Sequence, residues 1–153
     1  MYEPIRTKSV HTMAAAPGIP HRSREEELDI RLAGQLTALL TVTDELHALA
    51  TRADGPETRE LDGPALAGAA DRLAEQVARL SGGHYPLRAE PTDGGAPSRV
   101  PALQQRARTL AGNALSVATS RGDTAVMTLT AERMAAHAGP ATGRAWGRDL
   151  AST

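Results

Sequence analysis

Asp44 and His47 stand three residues apart, a spacing that places a carboxylate and an imidazole on one face of a helix. Repeated across helices, such pairs build carboxylate-bridged metal sites, which take Glu from two helices and Glu-x-x-His from two more. The remainder of that set is missing. Glu132 and His137 lie five apart, which turns them about 140° from one another around a helix. The segments 63–80 and 99–120 contain no histidine. The expectation is no metal site and no cofactor, with His47 a partly exposed histidine beside an aspartate.

Other reactive constellations fail similar tests. The sequence has no Cys, which removes disulfides, thiolate nucleophiles and thiolate metal ligands together. It has no G-x-S-x-G, no G-x-G-x-x-G and no Walker loop. The glycine pairs at 82–83 and 94–95 fall in connecting sequence. Arg121-Gly122-Asp123 spells an adhesion tripeptide, but Gly there stops one helical pattern and Asp caps the next. Arg6-Thr7-Lys8-Ser9 has the basic flank of a phosphorylation site, and a phosphate there would cancel most of the local charge. The expected protein is not an enzyme.

The elements that would position any site are helical. At 153 residues the chain has the size of one domain with a real core. Ala and Leu dominate its apolar content, Phe is absent, and Tyr2, Tyr85 and Trp146 are its only aromatics. Such a core favours helix on helix, because strands draw on β-branched and aromatic residues. Ser23-Arg24-Glu25-Glu26 is a capping box that opens a helix over about 24–53. Leu28, Leu32, Leu36, Leu39, Leu46 and Leu49 form its stripe, interrupted around Val42 and Thr43. Asp62-Gly63-Pro64 opens a second over 63–80, with Leu66, Ala69, Ala70, Leu73, Val77 and Leu80. The Gly- and Pro-rich residues 82–97 read as a long connection. A third helix over 99–120 carries Leu103, Ala107, Leu110, Ala114 and Val117. A fourth over 124–138 carries Val126, Met127, Leu129, Met134 and Ala138, and a short turn over 141–150 closes the chain. The mid-helix Gly112 suggests a close helix approach, and the neighbouring Asn113 reads as solvent-facing. The expected fold is all-α: a four-helix bundle of two antiparallel hairpins over 23–153, preceded by an extended basic arm over 1–22.

Charge is segregated beneath a net value of −1. Residues 25–96 hold fourteen acidic groups against six Arg, and residues 97–153 hold seven Arg against three acids. Self-complementarity between the hairpins is the expected consequence, with the arm lying along the acidic helices through Tyr2, Ile5, Arg6, Lys8 and Val10. Leu36 and Leu40 widen the first stripe as a second contact requires, and that helix is longer than its neighbours. Together these features point to a homodimer that acts through protein–protein interaction. A nucleic-acid-binding protein using the arm and the third helix is the alternative, and a helical-bundle enzyme or metal carrier is a second. No apolar run approaches the roughly 20 residues of a membrane span, and no apolar segment of about 7–15 residues marks a secretory signal. A cytoplasmic location is expected.

Overall fold

The computed structural model describes residues 22–52, 55–88, 90 and 96–138, and these are all-α, with no strand among them. The arm residues Tyr2, Ile5, Arg6, Lys8 and Val10, the turn expected over 141–150 and Trp146 lie outside the described residues. Five helices follow in order: α1 Arg24–Arg52, α2 Pro56–Arg59, α3 Gly63–Leu80, α4 Val100–Arg121 and α5 Thr124–Ala138. A single 3-10 turn, Pro97–Arg99, leads into α4.

The helix ends follow from side chains that satisfy free backbone groups. Ser23 Oγ accepts from Glu26 N at 3.1 Å, and Glu26 Oε1 accepts from Ser23 N at 2.8 Å. Asp62 Oδ1 accepts from Ala65 N at 3.0 Å, and Asp123 Oδ1 accepts from Val126 N at 3.2 Å. Gly122 turns the chain with φ +77°, a left-handed conformation that suits glycine. Its turn lets Asp123 N donate to Ala118 O at 2.9 Å.

Helix α1 runs unbroken through Val42 and Thr43. Both are buried, and the Thr43 hydroxyl donates to Leu39 O at 2.8 Å. The expected interruption of the stripe is therefore a widening of it, since a threonine that bonds its own helix adds core volume without an orphan hydroxyl. Gly112 also differs from expectation. A Cβ built there would lie 3.6 Å from Met134 Cε, an ordinary contact, so no backbone approach demands glycine. Asn113 faces solvent.

Cross-helix contacts fix the directions. Helices α1 and α4 run antiparallel, with Asp29 bonded to Arg121 at one end and Glu45 to Arg99 toward the other. The pairs Arg79–Asp123 and Arg72–Glu132 set α5 antiparallel to α3. Gly63 lies against Ala50 and Thr51, where the chain doubles back from α1 into α3. Hence α3 and α4 run in the same direction, and residues 81–88 lead back from the end of α3 to the level of Asp44, where Arg88 pairs. That is the structural reason for the long connection. The main packing lies between α1 and α3, α1 and α4, and α4 and α5, while α3 and α5 barely meet. One cluster of buried residues spans all four long helices.

Candidate functional site

The residues first considered for partner binding are placed as follows. Leu36 and Leu40 are buried within the chain, at 0% and 2% exposure, so the widened α1 stripe is consumed by the chain's own core. The extra length of α1 is likewise used internally. Its buried residues run from Leu28 to Leu49, and the short α2 packs near its far end. Neither feature is left over for a partner, because α1 meets both α3 and α4 and so needs two apolar faces.

The ion pairs show charge complementarity of mixed direction. Arg99, in the turn before α4, pairs with Glu45 at 3.3 Å, and Arg121 at the end of α4 pairs with Asp29 at 2.9 Å, joining this basic segment to acidic α1 as segregation suggests. Arg72–Glu132 and Arg79–Asp123 run the other way, with the cation on α3. Arg99, Arg108 and Arg121 all contact groups of their own chain, which occupies most of the basic side chains that a nucleic-acid surface on α4 would use. Asp44 is held by Arg88, whose Nη2 and Nε donate to the carboxylate at 2.7 and 3.1 Å, with Asp71 3.4 Å from Nη1. The hydrogen bond to Asp44, opposed in part by desolvation, raises the Arg88 pKa. Asp44 is thus held in an ion pair, and no group of three or more metal-ligating side chains occurs among the described residues.

Arg88 also anchors a strap. Residues 81–88 leave α3 through Gly82 and Gly83, with φ +69° and +94°. The segment then displays Tyr85 and Leu87 at 65% and 99% exposure. These are two of three large exposed apolar side chains among the described residues, Ile30 being the third.

The most unusual chemistry lies on α5. Its buried face keeps Val126 and Leu129 of the expected stripe, with Met127 and Met134 partly buried against the core, but adds Thr130, Arg133 and His137. The helical period itself was the available signal: steps of three and four from Val126 and Leu129 arrive at Arg133 and His137. Apolar counting skipped them because Arg and His are seldom buried. Thr130 is satisfied by donating to Val126 O at 2.7 Å. Arg133 and His137 are not. Arg133 Nε and His137 Nε2 are both buried with no hydrogen-bond partner.

His137 Nδ1 lies 2.6 Å from Gln104 Oε1 of α4. Because that oxygen only accepts, the contact assigns the neutral-ring proton to Nδ1 and leaves Nε2 as a bare acceptor. Arg108 Nη1 reaches the His137 carbonyl at 3.5 Å and also contacts Gln105. Burial, reinforced by Arg133 and Arg108, lowers the His137 pKa to about 4. Burial also lowers the Arg133 pKa, with Arg72 adding to the effect and Glu132 opposing it. The result is a polar end of the α5 core in which two buried nitrogens lack partners, and the sequence pattern did not point to it. No family model, curated protein or solved structure matches the chain. The local chemistry alone must carry the reading.

Proposed function

We propose that the chain is a non-enzymatic, cytoplasmic four-helix bundle of two antiparallel hairpins that acts through protein–protein contact as a homodimer. The carrying observation is the strap. Tyr85 and Leu87 stand out in water while Arg88 fixes the backbone behind them on Asp44 and Asp71. Exposing two apolar side chains without benefit is unfavourable, and a pinned segment loses little conformational entropy when a partner covers it. Charged pairs around the helices set orientation more than affinity.

Light scattering of the purified chain tests this reading, with a dimer mass expected. The double substitution Tyr85→Ser with Leu87→Ser removes the apolar contact but touches no core residue. It should yield a monomer with an unchanged helical circular dichroism spectrum. A wild-type chain that stays monomeric through the concentration range, or a variant that remains dimeric, contradicts the proposal.

A further inference from the structure

We propose that Arg133, His137 and Arg108 form a binding site for a small inorganic oxoanion, sulfate or phosphate, where the last two turns of α5 lie on the start of α4. The argument is one of charge balance in a dry place. Arg133 is 6% exposed and makes no hydrogen bond or ion pair among the described residues. The adjacent carboxylate, Glu132, gives its Oε1 to Arg72 of α3 at 2.9 Å. The Arg133 Nε and the His137 Nε2 are buried without a partner, which is unfavourable, and nothing on the described elements supplies one.

Three groups lie at this end of α5. Arg133 and His137 sit one turn apart on the same face of α5, each with an orphan nitrogen. Arg108 brings a second guanidinium from α4 against the last carbonyl of that turn. An oxoanion accepts from guanidinium and imidazolium donors together, in the charge-assisted bonds such ions prefer. Burial selects for size: with His137 at 2% and Arg133 at 6% exposure, a bare ion fits this chemistry better than a phosphate carried on a large body.

The proton balance is specific. Nδ1 is committed to Gln104, so Nε2 donates only after His137 takes up a proton. Sulfate binding therefore consumes one proton, while hydrogen phosphate can bring its own to the bare acceptor. The charges that act on the ring are Arg133 of its own helix and Arg108 of α4, while Arg72 of α3 and Glu132 act on Arg133. On α1, Asp44 is already paired with Arg88 and Glu45 with Arg99, so neither carboxylate is available to replace the anion. This site is independent of the strap and of the oligomeric state.

Equilibrium dialysis of labelled sulfate against the full chain, at ionic strength held constant with chloride, tests the site. One sulfate per chain should bind saturably, with affinity rising roughly tenfold per pH unit between pH 8 and pH 6. Phosphate should compete and show a weaker pH dependence, and phosphoserine should compete at least tenfold less well than phosphate. Arg133→Leu should abolish saturable binding, and His137→Gln should flatten the pH dependence of sulfate. Should Arg133→Leu fail to fold, Arg133→Lys keeps the charge without the fork and should weaken sulfate at least tenfold. Unsaturable sulfate uptake, a pH-independent affinity, or binding unchanged by Arg133→Lys would overturn the proposal.

Discussion

Helix α1 fills its side of the core largely with leucine, whereas α4 is rich in buried alanine and α5 adds, toward one end, Thr130, Arg133 and His137. On α1, Leu32, Leu36, Leu39 and Leu46 are fully buried, and α3 adds Leu73. On α4 the buried residues include Ala107, Ala111, Ala114 and Ala118, all at 0% exposure. The two materials are complementary. Small α4 side chains let the α1 leucines approach the helix axis, and the volume they leave at the α5 side admits longer polar side chains. The pair Arg72–Glu132 and the contact of Gly112 with Met134 place Arg133 near the middle of both α3 and α4. One half of the molecule is thus specialised for stability and the other holds unsatisfied polar chemistry.

This contrast can be broken most forcefully from the leucine side. Leu36→Ala, at a site with no exposure, should lower the unfolding free energy by about 4 kcal/mol, measured by urea denaturation. A loss below about 1 kcal/mol would show that the leucine half is not the stabilising one. Acid probes the polar half. The folded His137 pKa is near 4 against an ordinary 6.5, so the unfolded chain binds the proton first as pH falls. Stability from the neutral ring is therefore complete above pH 6.5, is lost between pH 6.5 and 4, and falls no further from this group below that. The full loss is of order 3 kcal/mol, and His137→Gln should flatten this part of the urea-midpoint profile. Gly112→Ala sharpens the comparison in the opposite direction. Its new methyl meets Met134 at an ordinary contact distance, so thermal melting should show a gain of up to about 1 kcal/mol. Smallest is Arg88→Ala. Its partly exposed ion pairs should contribute about 0.5 kcal/mol or less to global stability, while amide exchange at residues 84–88 should accelerate clearly.

The legible parts of the molecule are those decided by local chemistry. Ser23, Asp62 and Asp123 announce helix starts because their oxygens cap nearby amides, and Gly122 announces a stop because it accepts positive φ. The leucine stripe of α1 is readable from its period. The direction of α3 relative to α4 was not, because a 16-residue connection permits either, and only the cross-helix pairs decide it. The candidate site was hidden for a different reason. Arg133 and His137 sit at core positions with side chains whose usual place is the surface, so polarity and period give opposite answers. Leu36 and Leu40 failed as contact residues because a stripe wide enough for a partner is equally wide enough for two helices of the same chain.

The central claim is that the polar end of the α4–α5 core is retained at a cost to stability. Urea unfolding of Arg133→Leu beside the wild-type chain, in buffer free of sulfate and phosphate at neutral pH, measures it directly. An apolar side chain at this position leaves no buried Nε without a partner, so the variant should unfold at a higher urea concentration than the wild type. A variant that unfolds at lower urea would mean that Arg133 stabilises the fold as it stands, and the account of a polar site held against stability would be wrong.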